Sequence, residues 1–249
     1  MSTITSGAQT PDAAALTVLV IDTATDTVVT GVARCHPTGD VEVLAQRANA
    51  DGRRHAEILT TLMAQCLDEA GIGRDQIDAV VVGTGPGPFT GLRVGMATGA
   101  GFADALGISA YGVCSLDAIA RETARAVPAA TAVLVATDAR RREVYWALYG
   151  PGGHRRVGPE VTAPAHVADL IDGGPAAVDA VGGSAEHLRL IGWAGSDPVV
   201  SVPTVAGLVE AARGDLYADA APGPLTPLYL RRPDAVERKD QRPKTVSAQ

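Results

Sequence analysis

The sequence predicts an α/β protein of two similar lobes, each a mixed sheet covered by helices. Two observations carry that expectation. Short apolar runs rich in β-branched residues, which read as buried strands, alternate with longer segments whose apolar residues fall on one helical face. The order β-β-β-α-β-α-β-α can then be read twice between residues 18 and 212. Three strands in succession followed by alternating helices and strands describe a mixed sheet with helical layers.

In the first round, residues 18–21 form an apolar run ending at Asp22, and 28–33 and 41–45 are two further strands divided by the turn residues 37–40. Residues 54–70 place Ile58, Leu59, Leu62, Met63, Cys66 and Leu67 on one stripe, a helix that Gly71 ends. A strand at 77–82 follows. Next come a helix at 91–106 with Thr90 as N-cap and Gly107 as C-cap, a strand at 110–114, and a helix at 116–126 with Ser115 as N-cap. The second round has strands at 132–137, 144–149 and 155–161, a helix at 164–171, a strand at 177–181, a helix at 185–191, a strand at 199–202 and a helix at 205–212. Residues 1–16 are small and polar and read as an extension. Residues 231–249 are charged and read as a tail. The lobes are therefore expected at 17–126 and 127–230.

Composition narrows the function. The chain has 249 residues, 46% hydrophobic and 4% aromatic, with a net charge of −7. A protein that gripped RNA alone would carry a basic face to neutralise phosphates. The charge balance therefore implies that any RNA contact is supplied by a partner. Cys35, Cys66 and Cys114 are scattered and odd in number, which fits reduced thiols in a cytoplasm better than disulfides or zinc. No apolar run approaches the roughly 20 residues that span a bilayer, and no signal peptide is indicated.

The segment GTGPGPFTGLRVGMATG, from Gly83 to Gly99, is a strand end, a Gly/Pro turn and a helix with glycines at 91, 95 and 99, continued by Ala103. Each helical glycine costs ~1 kcal/mol against alanine, so close packing must offset them. Two packings would do so: against the chain's own sheet, or against a second protein. The turn is neither a P-loop nor a GxGxxG dinucleotide motif. His36, His55, His154, His166 and His187 include no pair four residues apart, the spacing that sets two imidazoles on one helical face for a metal.

Taken as strings, Val20-Ile-Asp-Thr-Ala-Thr25, His55-Ala-Glu57, the Gly83 to Gly99 segment, Leu106-Gly-Ile108, Val113-Cys-Ser-Leu-Asp-Ala118, the stretch from Asp138 to Tyr145 and Pro227-Leu-Tyr-Leu-Arg-Arg232 occur in the order seen in the TsaB (YeaZ) family. The chain resembles that family. The resemblance implies an actin-like fold of two ribonuclease-H-like halves, and a non-catalytic scaffold in the transfer of threonylcarbamoyl to the tRNA adenosine 3′ of the anticodon. It implies a heterodimer with the catalytic subunit TsaD, a ternary assembly with TsaE, a homodimer when alone, and ATP acting at the partner subunits with no cofactor held tightly here.

The catalytic relatives carry His-x-x-x-His where this chain reads Cys114-Ser-Leu-Asp-Ala-Ile119, so no catalytic or metal residue is expected. Asp22, Thr23, Asp138, Gly182 and Gly183 are read as remnants of a nucleotide fold. A docking face is expected from His55, Ile58, Leu62 and Met63 on the first helix and Gly91, Arg93, Gly95, Gly99 and Ala103 on the second. The alternative is an autonomous actin-like ATPase or kinase, or a metallopeptidase-like enzyme, resting on Asp22, Asp138 and the Gly-rich turns.

Overall fold

The computed structural model describes residues 14–50 and 55–231, the side chains of residues 55 and 56 excepted. The expectations for residues 1–13 and 232–249 and for the His55 side chain lie outside the described residues. In the first round, β1 (Leu16–Asp22), β2 (Val28–Cys35), β3 (Glu42–Asn49), α1 (His55–Ala70), β4 (Ala79–Gly83), α2 (Phe89–Leu106), β5 (Ser109–Val113) and α3 (Ser115–Ala126) follow the predicted order. The second round gives β6 (Val133–Asp138), β7 (Val144–Tyr149), β8 (Arg155–Thr162), α4 (Pro164–Leu170), β9 (Ala180–Gly183), α5 (Ala185–Ile191) and α6 (Val205–Leu216).

The first sheet has the order β3-β2-β1-β4-β5. β2 is antiparallel to both β1 and β3, while β4 runs parallel to β1 and β5. The second repeats this as β8-β7-β6-β9, one strand short. The expected strand at 199–202 does not form. It is bracketed by Pro198 and Pro203, which lack an amide donor. Val199 points outward at 65% exposure, and a single bond from the Gly183 amide to the Val200 carbonyl (2.7 Å) holds the segment beside β9. Two expected caps also differ. α2 begins after Pro88 rather than Thr90, and Cys114 precedes α3, so that Ser115 is its first residue and its hydroxyl is free for a longer-range bond.

Alternation along the central strands buries both faces of each sheet. On β1, Leu19 and Ile21 face α1 and α2, joining Leu59, Met63, Leu92 and Met96, while Val18 and Val20 face α6, joining Val205, Leu208 and Ala212. On β6, Val133 and Val135 pack with Leu116 and Ile119 of α3, and Leu134 and Ala136 pack with Val167 and Leu188 of α4 and α5.

The helices closing each round are thus exchanged. α3, from the first round, lies on the second sheet, and α6, from the second, lies on the first. They cross each other at Gly207, where a Cβ would stand 2.4 Å from the Ala118 carbonyl oxygen. A boundary at 126/127 therefore does not divide the packing. The ends differ from expectation as well. Leu16 already belongs to β1, and Arg231 is anchored, its guanidinium donating to the Ala139 carbonyl and pairing with Glu143 at 2.6 Å.

Candidate docking face and interlobe cleft

The cleft between the lobes is bounded by the turn after β1 and the turn after β6. Asp22 is fully buried. Its Oδ1 accepts from the Ala24 amide (2.9 Å) and its Oδ2 from the Ser115 hydroxyl (2.5 Å). This ties β1 to the start of α3. The Thr23 hydroxyl donates to the Gly91 carbonyl (2.7 Å) and accepts from the Gly95 amide (3.1 Å), fixing the first turns of α2.

Across the cleft, Asp138 accepts from the Arg140 amide (2.7 Å) and pairs with the Arg140 guanidinium (2.9 Å), while His187 Nε2 stands 3.4 Å away. Arg140 also reaches Asp26 on the first turn at 2.6 Å. Arg140, Arg141 and Arg142 are all left-handed, with φ of 61°, 52° and 63°. Such a run of non-glycine residues costs on the order of 1–3 kcal/mol each and persists only where surroundings over-determine it. The cavity left between Ala24, Thr25, Asp26, Pro88, Thr137, Asp138 and Arg140 is about 40 Å³. Gly182 and Gly183 serve close packing. A Cβ would meet Ile119 Cγ2 at 2.6 Å from the first and the Ala136 carbonyl oxygen at 2.0 Å from the second.

The segment from Cys114 to Ile119, where the resemblance led no metal pair to be expected, makes contacts of its own. Asp117 accepts from the Tyr149 hydroxyl (2.9 Å) and lies 3.6 Å from Arg155. Burial, reinforced by the Asp117 carboxylate, pushes the Cys114 thiol up to about 12, and burial likewise raises the Tyr149 phenol. With the folded value raised, the stability contributed is complete below the ordinary thiol range. It is lost as pH climbs from there towards 12, because the unfolded chain ionises first. The melting temperature should therefore fall steadily above about pH 8.5, with Cys114 resisting iodoacetamide until the protein unfolds. Ready alkylation of native Cys114 at pH 8 would contradict this.

The expected docking residues separate into two groups. Gly91, Gly95, Gly99, Ala103 and Met63 are buried inside the chain and cannot meet a partner. A Cβ on Gly95 would lie 2.3 Å from Thr23 Oγ1, and one on Gly99 would lie 2.5 Å from Val82 Cγ2. The glycine ridge is the surface by which α2 approaches its own sheet. This corrects its assignment to an interface. Ile58 and Leu62 are half-buried beside α2, and Arg93 is exposed. The Arg93 guanidinium sits 3.8 Å from the Phe89 ring centroid, and its Nε donates to the Tyr229 hydroxyl (2.9 Å).

The outer face of α2 was missed in the sequence. Ala97, Gly101 and Ala105 lie there four residues apart, all exposed, and among the described residues a Cβ on Gly101 would meet nothing within 4 Å. Alongside them, α1 presents Thr61, Ala64, Gln65 and Asp68. Gly101 was visible in sequence as a fourth helical glycine, about 200° round the helix from Gly99, but the four-residue spacing of the others drew the reading to the wrong face.

A model of the family described as TsaD, tRNA N6-adenosine threonylcarbamoyltransferase, matches residues 42–189. The TsaB of Haemophilus influenzae is 32% identical over 131 residues, 53% of this chain and 52% of that protein. The solved structure of YeaZ from Pseudomonas aeruginosa superposes with a TM-score of 0.68 at 28% identity, covering 86% of this chain and all of that one. The chain belongs to the TsaB/YeaZ family. An uncharacterized protein of Mycobacterium tuberculosis is 52% identical over 219 residues, 88% of this chain and 93% of its own length. The fold seen here, with its two mixed sheets and exchanged helices, is that of the YeaZ structure. Among the described residues no cluster of three or more His, Cys, Asp or Glu side chains is arranged to hold a metal, and no helix is long and apolar enough to cross a membrane.

Proposed function

We propose that this chain is a non-catalytic scaffold subunit in the biosynthesis of tRNA threonylcarbamoyladenosine, and that it acts by docking on and activating a TsaD-type catalytic subunit, with TsaE as the third component. The docking surface is the outer face of α1 and α2. Without TsaD the same face pairs with a second copy. ATP acts at the partner subunits and tRNA is met through them, in keeping with a chain of net charge −7.

The observation that carries the docking surface is Gly101. A mid-helix glycine costs ~1 kcal/mol against alanine, and here nothing among the described residues stands within 4 Å of a Cβ placed on it. With Ala97 and Ala105 it leaves a shallow strip on which another helix can rest closely, flanked by half-buried Ile58, Leu62, Val94 and Phe102. Support for the non-catalytic role comes from the cleft, where Asp22 and Asp138 are already engaged by protein donors and the cavity between the two turns is about 40 Å³.

Two substitutions at one position test this. Gly101→Ala should raise the stability of the isolated chain by ~1 kcal/mol, through helix propensity alone. Gly101→Leu should fold normally yet lower affinity for TsaD, and for itself, at least about tenfold, as bulk at the centre of a close interface does. Undiminished co-purification of Gly101→Leu with TsaD would refute the docking surface. Micromolar Mg-ATP binding with turnover by the isolated chain, read by calorimetry, would refute the scaffold role.

A further inference from the structure

Residues 222–231 run from the first lobe to the second. Leu225 packs on the core that α2 covers, and the Leu228 amide donates to the Thr84 carbonyl (2.9 Å) at the end of β4. Leu228 and Leu230 then pack on the core of the second sheet. Tyr229, between them, turns back to the first lobe, stacking on Phe89 with ring centroids 5.1 Å apart and accepting from Arg93. Two residues on, Arg231 donates to the Ala139 carbonyl and pairs with Glu143. Ala139 and Glu143 are the two ends of the left-handed arginine turn: the Ala139 amide donates to the Glu143 carbonyl (3.1 Å) and the Glu143 amide to the Arg140 carbonyl (3.0 Å). Arg140 on that turn closes the cleft on Asp26.

We propose that residues 222–231 are a strap that couples the exposed surface of α2 to the cleft: Arg93 holds Tyr229, and Arg231 holds the turn that carries Arg140. The turn is the element with two states. In one its strained left-handed backbone is held closed by Arg231 and by the pair to Asp26; in the other it relaxes and the cleft opens. A group that competes for Arg93 or covers Phe89 loosens Tyr229, and with it the anchor on Ala139. This deepens the docking reading by giving occupancy of α2 a consequence in the other lobe. Its test uses the chain alone, so it stands or falls separately from any partner.

Spatial continuity is no proof of coupling; a bias transmitted to a defined element is. The experiment is amide hydrogen exchange on the full chain, read on peptides covering residues 139–143, for wild type, Arg93→Ala, Tyr229→Phe and Arg231→Ala. Arg189→Ala, which breaks a surface pair with Asp197 in the second lobe, is the control. Loss of at least one hydrogen bond from the relay should speed exchange in 139–143 about three- to tenfold in all three relay variants, with β2 and β3 and the control unchanged. Unaltered exchange at 139–143 in Arg93→Ala and Tyr229→Phe overturns the coupling even if Arg231→Ala speeds it. Acceleration spread over all peptides overturns it too, since that is general destabilisation.

Discussion

Replacing Gly99 by leucine is expected to destabilise the first lobe by about 3 kcal/mol or more, lowering the melting temperature by roughly 10 °C for a chain of this size. The Cβ alone would stand 2.5 Å from Val82 Cγ2 and 3.6 Å from Ile21 Cδ1, and both of those side chains are fully buried on the adjacent central strands β4 and β1. The sheet cannot retreat, because its other face is packed on α6. The helix can move only by breaking the Thr23 hydroxyl's bonds to Gly91 and Gly95. Gly95→Leu should behave alike, its Cβ meeting Thr23 Oγ1 at 2.3 Å. Thermal unfolding of Gly99→Leu beside Gly101→Leu separates the two faces of α2. The first should melt early, and the second should melt at or slightly above the parent temperature, leucine being a better helix former than glycine, and fail only in docking. If the two melted alike, the orientation assigned to the helix would be wrong.

A comparable loss is expected from Gly207→Leu. α6 meets α3 backbone to backbone at this position, and a Cβ would stand 2.4 Å from the Ala118 carbonyl oxygen and 3.1 Å from its carbon. Main chain yields less readily than a side-chain tip, and Ala118 is fully buried in a helix whose first residue is tied to Asp22. Because the two exchanged helices join the lobes, about 3 kcal/mol lost here should weaken both sheets together. Limited proteolysis should show it as faster cutting in both lobes. Faster cutting confined to α6 would mean that the crossing does not unite them.

The order of elements was legible because it depends on local pattern. Alternation at β1 and β6, the apolar stripe of α1 and the glycine after α2 each reflect a constraint acting within a few residues. What a helix packs against is not local. The apolar faces of α3 and α6 show that each buries one side, and nothing in either pattern says that the sheet belongs to the other round. The glycine ridge failed for the same reason: the spacing of Gly91, Gly95 and Gly99 signals close approach without naming the neighbour. The discriminating residue, Gly101, broke the pattern. Residues 199–202 were misread because β-branched side chains outweighed the prolines on either side. The strap was hidden because Leu225, Leu228 and Leu230 are too few to mark an element, and its hold comes from Tyr229 and Arg231 reaching residues more than 80 positions away.

The central claim is that this chain supplies a surface, while the chemistry belongs to its partners. The most direct test is tRNA threonylcarbamoylation reconstituted with TsaD, TsaE and ATP, run with the wild-type chain, with Gly101→Leu, and with neither. The account predicts full modification only with the wild-type chain, and a rate near the omission level with Gly101→Leu. Undiminished modification by TsaD and TsaE alone would contradict it.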